Sequence, residues 1–155
     1  MPNFNTGAVP FILVDSNGQE RTAFPPGATV TVTGTVTANE GTPAAATTNN
    51  LNSAATTNAT AVKTSSGTLF AISISNAAAS PRFVKLYNKN AAPTVGTDVP
   101  VLVIPVAASS SVVYEFGRLG QRFAAGIGLA ITGAIGDTDT TAIGASEVKV
   151  CTTYV

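Results

Sequence analysis

A chain of 155 residues is long enough for one domain with an appendage, and a domain of this size buries roughly 70% of its unfolded surface without disulfides or metal ions. Only 10% of the residues are charged, eight basic against eight acidic, which argues against nucleic-acid binding because no basic patch can neutralise phosphates. The single cysteine excludes an intrachain disulfide, and no apolar run approaches the roughly 20 residues of a membrane-spanning helix.

The first 50 residues are interpreted as a polar arm with short strands. FILVD at 11–15 has the length of a short strand. The turn signal Ser16-Asn17-Gly18 follows it, because Asn-Gly accepts positive φ at low cost. QERTAF at 19–24 is predicted to return as the second strand of a hairpin.

Alternation is clearest in ATVTVTGTVTAN at 28–39, which predicts a half-buried strand. Val30, Val32 and Val36 lie on one face, and threonines occupy the other. The Ala/Thr/Asn-rich stretch at 40–61 is interpreted as a linker in its first half. Its second half is expected to lead into the following domain as an edge strand or an extended arm.

A long Val/Thr strand next to a linker has unpaired edges, and such an edge can pair with a neighbouring chain. Zero net charge also favours association, so we expect partner subunits to cover part of the surface. The alternative is an ordinary extra sheet packed on the chain's own domain. The candidate residues for contact with another subunit are Phe11, Ile12, Leu13, Val14, Val30, Val32 and Val36.

Residues 51–155 are predicted to form an all-β domain, because short apolar runs alternate with Gly, Pro, Asn and Ser. No segment has a clean helical period. Seven or eight strands favour a β-sandwich, and eight strands in two sheets favour a jelly roll, although periodicity does not fix the topology. The predicted strands are 52–64, 69–75, 82–87, 101–104, 112–116, 127–132 and 147–155.

Alternation also assigns faces to these strands. Along 69–75 the shared face is predicted to hold Phe70, Ile72 and Ile74. Strand 82–87 has apolar side chains on both faces, so it is expected to be covered on both sides. Pro100 and Pro105 cannot donate to a ladder, so pairing is predicted only between them.

The residue types that carry most catalysis are missing. Histidine is absent, which removes the commonest general base and the commonest zinc ligand. Cys151 without histidine is interpreted as a structural or interface residue. Asp137 and Asp139 in GDTDTT are weak Ca²⁺ candidates, and the alternative is a solvated turn in which they bond neighbouring N–H groups. No cofactor is predicted.

Other polar residues carry alternative interpretations. A glycan hydrolase would need an acid/base pair, for which the candidates are any two of Asp98, Glu115 and Glu147. We expect instead a non-enzyme in which both glutamates face solvent. A glycan-binding module could stack sugars on Tyr87, Tyr114 and Tyr154. The basic cluster is expected to be a solvated face or to pair with a neighbouring subunit; it consists of Arg82, Lys85 and Lys89.

Seven short motifs between residues 59 and 155 carry a family resemblance. They are Gly67-Thr68-Leu69, Arg82 to Tyr87, Ala92 to Asp98, Ile104-Pro105-Val106, Glu115-Phe116, Ile131-Thr132-Gly133 and Asp137 to Ala142. As a set they resemble a small module of tailed double-stranded DNA bacteriophages. The resemblance implies a jelly-roll virion protein of the capsid decoration (cement) or head-fibre type, often trimeric.

Together these inferences predict a non-enzymatic decoration protein on the outer surface of a phage head. It would be made in the host cytoplasm and would bind the major capsid protein, with residues 1–50 as the attachment or assembly segment. We expect a homo-oligomer, a trimer by the resemblance, and neither nucleic acid nor membrane as partner. The alternative is a tail, fibre or baseplate module that binds host glycan through loops 88–98 and 133–146.

Overall fold

A computed structural model describes residues 13–14, 20–21 and 45–155 of the chain, which divides into two compact units, Met1–Glu40 and Gly41–Val155. In the first unit, β1 (Leu13–Val14) pairs antiparallel with β2 (Glu20–Arg21), so the predicted hairpin is confirmed for these residues. Of the candidate contact residues, Leu13 and Val14 lie in β1. The remaining ones lie outside the described residues: Phe11, Ile12, Val30, Val32 and Val36.

The second unit is all-β, as predicted, and its described residues contain no helix. Its strands are β3 (Thr47–Asn52), β4 (Thr60–Lys63), β5 (Gly67–Asn76), β6 (Arg82–Asn88), β7 (Leu102–Val106), β8 (Ser110–Glu115), β9 (Gln121–Phe123), β10 (Ile127–Thr132) and β11 (Val148–Tyr154).

The start of this unit differs from the sequence prediction. Strand β3 begins at Thr47, so the predicted domain boundary after residue 50 falls inside it, and the chain divides at Glu40 instead. The alternation of apolar and polar residues does not reveal this strand, because the side chains of TTNNLN are mostly exposed. Its order comes from backbone pairing with β11, to which Thr47 through Asn52 are matched residue by residue.

The strands form two antiparallel sheets with the topology of a jelly roll. Sheet I has the order β3-β11-β5-β8, with β9 also paired to β5, and sheet II has the order β4-β10-β6-β7. The pairs are nested along the chain: β6–β7 innermost, then β5–β8, β4–β10 and β3–β11. This nesting of antiparallel pairs across two sheets is the jelly-roll arrangement, so the predicted sandwich is confirmed.

The core lies between the two sheets and draws on both of them. Burial of these side chains is the main favourable contribution to folding, at roughly 25 cal/mol for each Å² of apolar surface removed from water. The core residues are Val62, Leu69, Ile72, Ile74, Val84, Leu86, Ile104, Val106, Phe123, Ile127, Leu129, Ile131, Ile143, Val148 and Val150. Alternation in the sequence predicts one shared face in β10 (Ile127, Leu129, Ile131) and an inward face in β11 (Val148, Val150, Thr152, Tyr154). All of these are buried except Tyr154, which is partly buried against the core.

The prediction for β5 is wrong at one position. Leu69 is fully buried in the core, whereas Phe70 is half-buried. A register shift explains the exchange, because Thr153 pairs with Ala71 while Tyr154 pairs with Leu69, leaving Phe70 as an extra residue. Such a β-bulge reverses the alternation beyond it, which a strict period of two cannot anticipate.

Strand β7 also differs from its prediction, since it runs through Pro105. Pro105 is exposed and pairs in register with Phe83. The strand is the last in sheet II, so the side of the proline that lacks an N–H faces no neighbouring strand. An edge strand therefore tolerates the proline that was expected to end it.

Candidate functional site

Two loops cover the outer face of sheet II and meet there. The expectation that β6 is covered on both sides is confirmed: Val84 and Leu86 are buried in the core, while Lys85 and Tyr87 are buried on the opposite face. The covering loops are the β6–β7 loop (89–101) and the β10–β11 loop (133–147). We call this region, with Lys85 and Tyr87 beneath it, the two-loop surface.

Lys85 fastens one of these loops to the sheet. Its side chain is completely buried, and its Nζ donates to the carbonyl oxygens of Gly136 at 2.5 Å and Asp139 at 3.3 Å. A buried ammonium group needs such acceptors, because losing its water shell is otherwise very costly. The prediction that Lys85 belongs to a solvated basic face is therefore wrong.

Close approach joins the two loops to each other. Gly96 has a φ of +89°, and a Cβ at that position would lie 2.7 Å from the Thr140 methyl carbon and 3.3 Å from the Thr138 carbonyl oxygen. Only glycine adopts this conformation readily and leaves this space. The predicted glycan-binding loops, 88–98 and 133–146, are thus in contact.

The Tyr87 hydroxyl is buried beneath this surface, and no described group hydrogen-bonds to it. Burial raises the pKa of Tyr87, and the carboxylates of Asp98 and Asp137 raise it further by disfavouring a second negative charge. Tyr87 therefore presents no ring to solvent. The three tyrosines do not form one exposed sugar-stacking platform, because Tyr114 and Tyr154 lie on strands of sheet I.

The two aspartates proposed as weak Ca²⁺ ligands differ in their surroundings. Asp139 accepts hydrogen bonds from the Ala134 N–H at 3.0 Å and the Thr141 hydroxyl at 2.7 Å. Partial burial opposes ionisation of Asp139, but these hydrogen bonds outweigh it and hold its pKa below the ordinary value. Asp137 is exposed, and no cluster of three or more His, Cys, Asp or Glu suited to a metal occurs among the described residues.

The other two basic residues of the predicted cluster make ion pairs within the chain. Arg82 donates to Glu147 through Nη2 at 2.8 Å and Nε at 2.9 Å. Lys89 pairs with Asp98 inside the β6–β7 loop. Glu147 was expected to be a solvent-facing strand residue, but it lies just before β11 and is held by Arg82.

These pairings separate the acids considered for glycoside chemistry. The Gly144 N–H and then Arg82 lower the pKa of Glu147, while Lys89 and then the Thr94 N–H lower the pKa of Asp98. Glu115 lies on β8 in the other sheet. Each acid therefore sits in a different place, and two of them are engaged in structural ion pairs.

These carboxylates should make the domain sensitive to acid. Their folded-state pKa values lie below the unfolded ones, so their contribution is full above about pH 4.5 and is lost as pH falls through the lowered values. We expect Glu147→Gln and Asp98→Asn to lower Tm at pH 7 and to flatten its fall between pH 5 and pH 3, as followed by circular dichroism.

Glu115→Gln is the matched control for this measurement. The Glu115 side chain is exposed and makes no hydrogen bond or ion pair within residues 45–155. Its Tm should follow that of the parent chain at every pH. Parallel curves for Glu147→Gln and the parent chain would show that the Arg82 pair contributes nothing to acid sensitivity.

The outer face of sheet I is a second exposed surface, and we call it the flat face. Strand register arranges its side chains in three rows across β3, β11, β5 and β8. The rows are Asn52, Lys149, Ser75 and Ser111; Asn50, Cys151, Ser73 and Val113; and Thr48, Thr153, Ala71 and Glu115. Short polar side chains dominate the flat face, and a shallow groove crosses it beside Cys151.

Comparison with known proteins adds no family assignment: the sequence matches no family model, and no curated protein is significantly similar to it. Within the described residues there is also no helix long and apolar enough to cross a membrane. The functional interpretation therefore depends on the two surfaces and on the resemblance of residues 59–155.

Proposed function

We propose that this chain is a non-enzymatic structural protein of a phage virion, a decoration protein on the outer surface of the head. It would stabilise contacts between capsomers. Three features support this proposal: the motif set of residues 59–155, which resembles small phage virion proteins, the jelly-roll order of the two sheets, and the flat face of sheet I.

The observation that carries most weight is the flat face. It spans four strands of sheet I and presents Ser, Thr and Asn with only Lys149 and Glu115 as charges. A face of this kind can be buried against another protein without stranding many charges in a low-dielectric contact. It is better suited to repeated protein contacts than to a small-molecule site, which is usually a concave apolar pocket.

The proposed partners are the major capsid protein and further copies of the chain, assembled as a trimer in accord with the resemblance. Residues 1–40 would provide the attachment segment. The Val/Thr strand predicted at 28–39 lies in this segment and would add to a sheet of another subunit. Many weak contacts repeated around a shell would add up through avidity.

Cosedimentation with phage heads that lack this chain tests the proposal. We expect the full-length chain to bind saturably and to raise the temperature at which the heads disrupt. A variant without residues 1–40 should lose most of this binding. The truncation stops before β3, which begins at Thr47, so the sandwich is left complete.

Circular dichroism and cooperative unfolding of the shortened chain provide the control for folding. If the shortened chain is folded and binds heads as tightly as the full chain, residues 1–40 are not the anchor. If the full-length chain neither binds heads nor stabilises them, the decoration role itself is wrong.

A second candidate function is glycan binding at the two-loop surface. The observation that favours it is the contact between Gly96 and Thr140, which brings the predicted binding loops together. Binding of the purified chain to defined glycans on an array, without binding to heads, would support this role. We would then expect substitutions at exposed residues of these loops, such as Ile135, to weaken the binding.

A further inference from the structure

The four edges of the sandwich are not equally protected against pairing with another chain. Strand β7 carries Pro105, strand β4 is only four residues long, and β3 is almost entirely Thr and Asn. Proline and short length discourage edge pairing, and the three asparagines of β3 are poor strand formers. Strand β8 has none of these features: it is six residues long, SSVVYE, without Pro or Lys.

The side chains of β8 are unusually exposed for their type. Val113 is 62% exposed and Tyr114 is 40% exposed, and Leu119 in the turn after β8 is 90% exposed. Among the described residues β8 pairs only with β5, so no described strand lies along its other side. An exposed apolar edge strand is a site at which another strand is expected to add.

Hydrogen bonding fixes which backbone groups of β8 are open. The Phe116 N–H donates to the Phe70 carbonyl oxygen at 2.9 Å. Every second residue before it, Tyr114, Val112 and Ser110, therefore also points its backbone N–H and C=O groups toward β5. Antiparallel ladders alternate in this respect. The N–H and C=O groups of Ser111, Val113 and Glu115 therefore point away from β5, toward the side on which no described strand lies.

We propose that β8 pairs antiparallel with β8 of a second copy of this chain, about a twofold axis at Val113. Val113 then faces Val113 of the second copy, and Val112 faces Tyr114. Ser111 likewise faces Glu115 of the second copy. The backbones of the Val113 pair and of each pair of Ser111 with Glu115 can exchange two hydrogen bonds. The two copies of sheet I become one continuous sheet, and their flat faces lie on the same side.

Side-chain chemistry selects this register over its neighbours. Residues that pair across the contact must lie on the same face of the sheet, so one β8 strand can slide along the other only by two residues at a time. Each such shift moves the twofold axis by one residue, from Val113 to Val112 or to Tyr114. An axis at Val112 places Val113 against Ser111, and an axis at Tyr114 places Val113 against Glu115. Among the flat-face side chains of β8, only the axis at Val113 sets the two Val113 side chains opposite one another and Glu115 opposite Ser111.

This self-complementarity identifies a second copy as the partner. The same short sequence satisfies both sides of the contact, as an isologous interface requires. The inference goes beyond the proposed function, because the contact would form between copies in solution without a capsid. In a trimeric assembly, the same edge would join one trimer to the next.

Disulfide trapping tests the register directly, in the full-length chain with Cys151→Ser as background. Val113→Cys is expected to form a disulfide between copies under oxidation, because hydrogen-bonded facing residues have Cα atoms about 5.5 Å apart, within disulfide reach. Ser111→Cys is the matched control. Residue 111 would face residue 115 of the second copy, so the two thiols introduced by Ser111→Cys would be about 13 Å apart along the strand and should not link.

Light scattering tests the contact without cysteines. We expect the mass of the full-length chain to correspond to an even number of copies, and Val113→Pro to halve it. The proline removes an N–H that points away from β5, so the internal ladder is kept, as circular dichroism can check. An odd number of copies, a mass unchanged by Val113→Pro, or a disulfide in the Ser111→Cys variant but not in the Val113→Cys variant would each overturn the proposal.

Discussion

Replacing Asn76 by aspartate is expected to destabilise the domain by about 3 kcal/mol at pH 7, the largest effect we predict for an isosteric change. Asn76 is 2% exposed, and its Nδ2 donates to the carbonyl oxygens of Ser80 and Ala107 at 2.9 Å and Val106 at 3.3 Å. A carboxylate would turn a negative oxygen toward these carbonyls. The amide joins the turn after β5 to the end of β7, so both would be disturbed.

The effect should depend on pH with a definite sign. In the folded variant, burial and the facing carbonyls would raise the pKa of the new carboxyl group above its unfolded value of about 3.9. The destabilisation is then full above the raised pKa and decreases as pH falls through it, because the protonated acid can donate one hydrogen bond. Urea unfolding of variant and parent at pH 7 and pH 5 measures this difference.

Asn50→Asp is the control, because the same exchange occurs on the exposed flat face, where the Asn50 side chain makes no hydrogen bond within residues 45–155. We expect it to change the free energy of unfolding by less than about 0.5 kcal/mol. Equal effects of the two substitutions would mean that the Asn76 amide is not the link between these turns.

The class of fold could be predicted from the sequence because it depends on local pattern. Alternation correctly grouped the core positions of β10 and β11, since Ile127, Leu129 and Ile131, and likewise Val148 and Val150, recur at every second residue. It failed at Phe70, since a bulge adds one residue without leaving a signature in the side chains. It also missed most of β3, whose order comes from pairing with β11.

The two-loop surface could be predicted only in part. The pattern of β6 predicted a cover on both sides of the strand, but Lys85 was still expected on a solvated face, so its burial was not predicted. The hydrogen-bond partners of Lys85 could not be inferred either, because they are backbone carbonyl oxygens 51 and 54 residues away. Every residue has a backbone carbonyl, so no residue type in the sequence marks such a partner. The same limit applies to Arg82, whose partner Glu147 is 65 residues distant.

The two surfaces place the possible contacts of this domain on opposite sides of the sandwich. Sheet II is covered by its own loops, so any ligand there meets loop residues and not strand faces. Sheet I presents the exposed flat face, and among the described strands β8 has a neighbour on one side only. Protein contacts are therefore expected on sheet I, and a decoration role uses the open sheet while a glycan-binding role would use the covered one.

Gly126→Ala is the second substitution with a large expected effect, about 3 kcal/mol of destabilisation. Gly126 is buried just before β10, where three backbone segments meet. A Cβ there would lie 2.6 Å from the Lys63 oxygen, 2.7 Å from the Asn90 Cα and 2.8 Å from the Lys89 oxygen. These are main-chain atoms, so relief requires β4 or the β6–β7 loop to move, and not a change of side-chain rotamer.

The substitution should also loosen the two-loop surface, because the Lys89 N–H donates to the Gly126 oxygen at 3.0 Å and starts the β6–β7 loop. We expect faster amide hydrogen exchange across 89–101 as well as a lower midpoint in urea. Gly136→Ala is the matched control, since a Cβ there meets nothing within 4 Å and the Gly136 oxygen stays available to Lys85. If both substitutions left stability and exchange unchanged, close backbone approach at Gly126 would not be what positions this loop on sheet II.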